Sequence, residues 1–333
     1  MTFPTTTSKT VLSQICDAVH ARRRFLISSH ARPDGDSIGS QLAMMYALEA
    51  LGKDVRVVNA DPAPSHYSEF PGLDRIEIAP SVTEGSAEAL IVMESGDLLR
   101  TGVIGLEGRF TINIDHHQGN TQYADLNWID ESAAACGEMV FDLITALGVP
   151  LTIEIATHVY LAILTDTGSF HYSNITPKTF EICRRTVEAG VNPPTMARRV
   201  FDQNSFGKLK LIGALLDEMD LLDHGRLAAM YLNDEILRAT GTTYNDTEGL
   251  INLPLTAREI RAVVFFKAGA DGDLNISMRS KYDVDVRTIA ARHGGGGHKN
   301  AAGFKLNGPL SAVRDGVLKE MADAIALGVQ TRP

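Results

Sequence analysis

The sequence predicts an α/β protein with an N-terminal, mostly parallel sheet flanked by helices. A helical connector and a smaller C-terminal α/β domain with a mixed sheet follow. Three observations carry this. From about Ser8 to Gly168, short apolar runs alternate with segments of helical period, the pattern of βαβ units. Beyond His224 the texture changes to longer strand-like runs and a stretch of four glycines, Gly294 to Gly297. Acid and imidazole clusters recur where the N-terminal apolar runs end, and open α/β sheets collect ligands at the carboxyl ends of their strands.

Taken in order, Met1 to Thr10 is Thr-rich, has no apolar core and reads as a frayed tail rather than a secretory signal. Phe25–Ser29 reads as a buried strand. Ile38, Leu42, Met45, Leu48 and Leu51 follow at helical spacing, with Gly52 as the C-terminal cap. Val55–Val58, Ala89–Met93 and Phe110–Ile114 read as strands, and Cys136–Leu147 and Ile153–Leu164 as helices. Thr176-Pro177 starts a further helix that Gly190 closes. Asn192-Pro193-Pro194 punctuates the chain, and Ser205–Leu222 reads as helical up to a turn at Asp223-His224-Gly225. Arg226–Leu232, Arg261–Lys267 and Leu274–Ser280 read as strands, the last two joined as a hairpin through Asp271-Gly272-Asp273. Asp285–Arg292 reads as a short helix and Ala302–Leu306 as a strand. The expected boundaries are residues 1–190 for the first domain, 191–224 for the connector and 225–333 for the second domain.

Composition narrows the class. The 333 residues are 44% hydrophobic and 22% charged, as in an ordinary globular protein. No apolar run approaches the roughly 20 residues needed to span a bilayer. Cys16, Cys136 and Cys183 are scattered, without metal-site spacing, which favours a reducing cytoplasm and no disulfide framework. The net charge of −10 weighs against tracking a long nucleic acid, but a short anionic substrate remains compatible if metal ions neutralise it locally.

Four places carry chemistry. His30, Asp34 and Asp36 fall within one turn that Pro33 and Gly35 enforce, ahead of a helix N-terminus. Asp115-His116-His117 ends the run Phe110, Ile112, Ile114; neighbouring histidines on a strand face opposite ways unless the chain turns there. Asp166 ends an apolar helix, where an aspartate by itself is ordinarily a solvated terminus. Glu94 ends Leu90–Met93 and has the charge to bridge two ions. Carboxylates with imidazoles suit Mn²⁺, Mg²⁺, Zn²⁺ or Fe²⁺. Two such ions about 3.5–4 Å apart clamp a phosphoryl group. His158 reads as a packing or surface residue. Gly294 to Gly297 mark a close backbone approach, and His298, Arg279 and Lys281 beside them suit a phosphate.

Together these residues resemble the DHH phosphoesterase superfamily. His30-xx-Pro33-Asp34-x-Asp36, Asp115-His116-His117 and Asp166-Thr167-Gly168 match three of its four N-terminal motifs in order. Arg279-Ser280-Lys281 and Gly294–His298, then Ala301-Ala302-Gly303, resemble its DHH-associated C-terminal domain. The layout is most similar to the bacterial oligoribonuclease and 3′-phosphoadenosine-5′-phosphate (pAp) phosphatase group.

The resemblance implies a cytoplasmic hydrolase holding two divalent ions, Mn²⁺ first and Mg²⁺ or Co²⁺ as alternatives, in a cleft between the domains. Its substrates would be short RNA oligonucleotides and pAp, with no long nucleic acid and no membrane; a homodimer is left open. His30, Asp34 and Glu94 would hold one ion, and Asp36, Glu94, His116 and Asp166 the other. Asp115 would orient the histidines and His117 would face the scissile phosphate. Arg279, Ser280, Lys281, Gly295, Gly296, Gly297 and His298 would bind substrate. The expected nucleophile is a hydroxide bridging the two ions. One departure stands out: the family normally has Asp where this chain has Glu94. Alternatives left open are a cyclic-di-AMP or pApA phosphodiesterase, a RecJ-like single-strand exonuclease, and a non-catalytic nucleotide-binding regulator.

Overall fold

The computed structural model describes residues 6–83, 85, 87–268 and 273–330, and the side chains of all of these except 6–9, 298 and 329–330. The chain forms two compact units that divide between Gln203 and Asn204.

In the first unit, β1 (Arg24–Ser28), β2 (Asp54–Asn59), β3 (Ile76–Ile78), β4 (Ala89–Met93), β5 (Phe110–Asp115) and β6 (Leu126–Ile129) make one sheet in the order β3-β2-β1-β4-β5-β6. Every pairing is parallel. Strand β4 is buried along its whole length because both sheet faces are covered, which explains its unbroken apolar run. Phe25, Ile27, Ile91, Met93, Ile112 and Ile114 join one core with the helices α1 (Thr6–Ala21), α2 (Gly35–Ala50), α3 (Cys136–Ala146), α4 (Ile153–Asp166), α5 (Pro177–Glu188) and α6 (Pro193–Phe201). Leu26, Leu90 and Val92 face the other way, against Val103 and Leu106. The helices therefore feed one face, and an irregular segment covers the other.

The chain runs outward from β1 through β2 to β3, then returns to place β4 on the other side of β1. Strand order thus reverses between β1 and β4, which opens a crevice beyond their carboxyl ends. Helices α2 and α4 pack closely where a side chain at Gly39 would overlap the His158 carbonyl, so glycine there sets their distance.

The second unit begins with α7 (Phe206–Asp217) and a sheet of β7 (Asp220–Leu222), β8 (Leu227–Leu232), β9 (Ala262–Ala268), β10 (Asp273–Ser280), β11 (Gly296–His298) and β12 (Ala301–Asn307). The order is β11-β12-β10-β9-β8-β7. Only β8 and β9 pair in parallel, so the sheet is mixed. Its two faces bury separate cores. One lies under α9 (Arg287–Arg292) and α10 (Leu310–Gln330), the other under α7 and α8 (Asp234–Thr240).

Some expectations change. Thr6 to Thr10 belong to α1 rather than to a frayed tail, while Met1 to Thr5 lie outside the described residues. The helix expected to reach Leu222 ends at Asp217, because Asp220–Leu222 pairs antiparallel with β8. Asn192 caps α6 by accepting the Thr195 amide at 2.9 Å, so the Asn-Pro-Pro sequence starts a helix as well as breaking one. The turn residues Asp271 and Gly272 lie outside the described residues; β9 and β10 pair antiparallel as a hairpin requires. No helix among the described residues is long and apolar enough to cross a membrane.

Candidate active site

At the carboxyl end of β1 the chain turns through His30 to Asp34, the N-cap of α2. Asp34 Oδ1 accepts the Ser37 amide and hydroxyl, each at 3.0 Å. The Ser37 hydroxyl lies 2.7 Å from His30 Nε2, and His30 Nδ1 lies 2.9 Å from the Ala31 carbonyl. Two residues into α2, Asp36 is only 1% exposed. Its Oδ2 accepts the Cys136 amide at 2.7 Å, and its Oδ1 accepts the Gly137 amide and the Ser40 hydroxyl at 3.0 Å each. The α2 carboxylate thus caps the first turn of α3, where helix amides lack partners.

Glu94 follows β4 with φ +58°, in the left-handed region that a non-glycine residue seldom occupies. It is 1% exposed, and its Oε1 makes no well-directed hydrogen bond although His116 Nε2 stands 3.1 Å away. His116 Nε2 is also 3.5 Å from Asp166 Oδ2 and 3.8 Å from Asp36 Oδ2. His116 Nδ1 lies 3.0 Å from the Ala133 carbonyl, which makes Nδ1–H the donor and aims Nε2 at the three carboxylates. The turn after Asp115 brings His117 into the same crevice: its Nδ1 sits 2.8 Å from Asp115 Oδ1 and 3.8 Å from Glu94 Oε2.

The electrostatics follow from this crowding. Burial, then repulsion from Asp36, pushes the Asp166 carboxyl up to about 7. Burial and Asp36 likewise push Glu94 well above the carboxylate range, and burial raises Asp36. Burial opposes charge on His116, but Glu94 and Asp36 hold it up at about 11. Burial also works against Asp115, yet hydrogen bonds from His117 and Asn120 leave it below its ordinary value. Cys136 is raised well above its ordinary value by burial and by Glu94 and Asp36, so it stays a thiol and is no nucleophile.

A cation fits this arrangement. His30, Asp34 and Glu94 each offer a ligand atom, all within 4.8 Å of one another; so do Asp36, His116 and Asp166, and Glu94, His116 and His117. Glu94 and His116 recur in two trios, and the unpartnered Glu94 Oε1 is the kind of buried charge that a hard cation satisfies. His158 takes no part: it is fully buried in α4, and burial pulls its pKa down to about 4, leaving it neutral.

The other predicted residues lie in the second unit. Arg279 is half-buried on β10, its guanidinium bonded at 3.0 Å to the Met278 carbonyl, and burial lowers its pKa. Ser280 points to the opposite face, as strand alternation demands. It is buried, and its hydroxyl bonds the Val284 carbonyl at 2.7 Å and receives Asn300 at 2.9 Å. Lys281 reaches the Ala257 carbonyl at 2.7 Å. A Cβ at Gly295 would overlap the Gly303 carbonyl and Phe304, and Gly297 has φ +138°, whereas among the described residues nothing stands within 4 Å of a Cβ at Gly296. His298 pairs in backbone register with Ala301; its side chain is outside the described residues.

Several residues of the crevice escaped sequence reasoning. Ser37 supports His30 and Asp34, Asn113 and Asn120 support Asp115, and Asn174 ties the Ala134 and Asp166 carbonyls at 2.8 and 3.2 Å. The available signal was an asparagine, Asn113, inside the apolar strand β5.

The chain matches the DHH family, N-terminal domain, over residues 24–163 and the DHHA1 domain over residues 226–327. It is 33% identical over 290 residues to the bifunctional oligoribonuclease and PAP phosphatase NrnA of Thermus thermophilus, covering 85% of this chain and 84% of the relative. NrnA of Bacillus subtilis is 27% identical, with 84% of this chain and 88% of the relative covered. Among solved structures, an exopolyphosphatase-related protein from Bacteroides fragilis superposes with a TM-score of 0.86 at 24% identity, covering 95% of this chain and 96% of that one. RecJ of Thermus thermophilus in complex with Mn²⁺ superposes with a TM-score of 0.54 at 14% identity, covering 98% of this chain and 55% of that one; both likenesses speak for the fold.

Proposed function

Since the chain belongs to the DHH family, whose members are phosphoesterases, we propose that it hydrolyses short oligoribonucleotides to mononucleotides and pAp to AMP. The observation that carries a hydrolytic, metal-dependent reading is the pair of ligand trios joined through Glu94 at the crevice where strand order reverses. The substrate reading is supported by the names of the Thermus thermophilus and Bacillus subtilis relatives.

His30, Asp34 and Glu94 would hold one divalent ion, and Asp36, Glu94, His116 and Asp166 a second, with Mn²⁺ as the expected metal. When bound, such ions lower the pKa of water from 15.7 towards about 7 and offset charge on phosphoryl oxygens. The chain's own groups do the rest. Asp115 accepts from His117 Nδ1 and so fixes the tautomer, which would leave Nε2 as the ring atom to stabilise charge growing on the phosphate. The Ala133 carbonyl and Asp36's grip on α3 hold His116 and Asp36 before any substrate arrives.

Arg279, with Gly295 to His298, would hold a terminal phosphate or the neighbouring nucleotide by a charge-assisted contact. Lys281 would add charge. Ser280 would act indirectly, bracing the turn after β10 through Val284 and Asn300. The domain assignment, catalytic over residues 1–190 and substrate-binding over 225–333 with a connector between, belongs to the same proposal.

The test incubates purified protein and Mn²⁺ with a 5′-phosphorylated dinucleotide, a pentanucleotide, a long single strand and pAp, with Asp36→Ala as control. Release of AMP or phosphate from the short RNAs and pAp, and not from the long strand, is the expected result. Preference for the long strand would move the protein to a RecJ-like activity. Metal binding without turnover of any substrate would overturn the proposal.

A further inference from the structure

We propose that Asn120 is a positioning residue: it holds the Asp115 carboxylate in the one orientation that locks the His117 ring. The inference rests on the reading of His117 as the group facing the phosphate. The hydrogen bonds leave no choice of direction. Asn113 donates Nδ2 to the Val92 and Ser95 carbonyls, at 3.2 Å each, so its Oδ1 must accept. Asn120 Nδ2 donates to that Oδ1 at 2.8 Å and to Asp115 Oδ2 at 2.6 Å, while its own Oδ1 accepts the Gln122 amide at 2.8 Å. A flipped Asn120 amide would set oxygen against two acceptors and strand the Gln122 amide.

Asp115 is fully buried, and its other oxygen accepts from His117 twice, from Nδ1 at 2.8 Å and from the backbone amide at 3.2 Å. The Asn120 donor is the side-chain partner of Oδ2, so deleting it leaves that buried oxygen unpaired and the carboxylate free to turn. The surrounding loop has other anchors besides the Gln122 amide that Asn120 accepts. Thr121 donates its amide and hydroxyl to the Gly96 carbonyl at 2.8 and 3.0 Å, and the Tyr123 hydroxyl bonds the Ser95 carbonyl at 3.1 Å. Asn120 therefore serves the Asp115–His117 pair more than the fold.

Asn120→Ala is expected to lower kcat on the dinucleotide roughly 10- to 100-fold. KM and the calorimetric Mn²⁺ affinity should stay unchanged, while the unpaired Asp115 oxygen should lower the unfolding midpoint without unfolding the protein. In a His117→Ala background the same substitution should cost nothing further, because both changes remove one function. Asn120→Asp, which keeps the size but sets a carboxylate against Asp115, should lose more than Asn120→Ala. A further measurement needs no substrate: long-range ¹H–¹⁵N spectra should show His117 as a single Nδ1–H tautomer in the wild type and a mixture in Asn120→Ala. An unchanged kcat, an undiminished effect without His117, or an unchanged tautomer would each overturn the inference. Wild-type protein inactive on every substrate would instead overturn the proposed function, and the spectra would still decide the role of Asn120.

Discussion

Asp36 and Cys136 stand a hundred residues apart in sequence, yet the Asp36 carboxylate accepts the Cys136 amide at 2.7 Å. With the Gly137 amide on its other oxygen, one buried side chain both anchors α3 and faces His116. A ligand candidate with a second, structural duty should give a mixed phenotype when changed.

Asp36→Ala is expected to lower turnover at least several hundredfold, equivalent to about 3–4 kcal/mol of barrier. It should also lower the unfolding midpoint, since each buried amide left unpaired costs about 1–3 kcal/mol. Asp36→Asn keeps one acceptor and should recover part of that stability, but not the activity. Among the described residues no backbone amide donates to the Asp166 carboxylate, so Asp166→Ala should match the loss of turnover without the loss of stability. Kinetics and thermal unfolding of the three variants decide the matter. Near-normal activity in Asp36→Ala or Asp166→Ala would remove that residue from the metal site.

The crowded carboxylates predict how the metal-free protein responds to pH. The Asp166 carboxyl is raised from 3.8 to about 7, so across that window the folded state binds more protons than the unfolded one. His116 is raised from 6.5 to about 11, which also leaves the folded state richer in protons across its window. Both signs agree. Metal-free stability should fall as pH rises through these ranges, and saturating Mn²⁺ should flatten or reverse the slope. Unfolding curves at several pH values, with chelator and with Mn²⁺, measure this directly. A metal-free protein that grows more stable with rising pH would contradict the assigned geometry.

Glu94 combines a buried carboxylate with a left-handed backbone, a combination that costs on the order of 1–3 kcal/mol. Aspartate visits that region more readily than glutamate, so Glu94→Asp should fold at least as well. Its shorter arm withdraws the oxygen shared by two ligand trios, and the expected outcome is retained turnover with an altered preference between Mn²⁺ and Mg²⁺. Glu94→Gln keeps the length but not the charge, and should lose at least a hundredfold. Rates with each ion separate these cases; full activity in Glu94→Gln would rule out a bridging role.

The parts legible in the sequence were those whose signal is local. Strand β4 showed itself because both faces are buried, and α5 because Thr176 and Pro177 mark its start. The short strands Ile76–Ile78 and Gly296–His298 have too few residues for a period to appear. In α10 the apolar stripe of Val317, Leu318, Met321 and Ile325 is diluted by glycines at 316 and 328. Within the crevice, the acids and imidazoles were legible because each ends an apolar run. Their supports were not. Asn120 meets Asp115 only after the loop folds back, and Cys136 meets Asp36 only when α3 docks against α2.

The four glycines before His298 differ in what the fold asks of them, and this gives a sharp test of the loop. A methyl group at Gly295 would overlap the Gly303 carbonyl and Phe304, so Gly295→Ala must push β12 aside. Overpacking of this kind costs about 1–3 kcal/mol. Among the described residues nothing stands within 4 Å of where a Gly296 side chain would be, and its backbone needs no left-handed conformation, so the described part of the fold gives no reason for glycine there. If the loop receives a phosphate, the open space belongs to the substrate. Gly296→Ala should then keep the wild-type unfolding midpoint and raise KM for pAp and the dinucleotide with little change in kcat, as Arg279→Ala should. Gly295→Ala should lower the midpoint. An unchanged KM in both Gly296→Ala and Arg279→Ala would take the glycine loop out of substrate binding and leave Gly296 without a physical explanation.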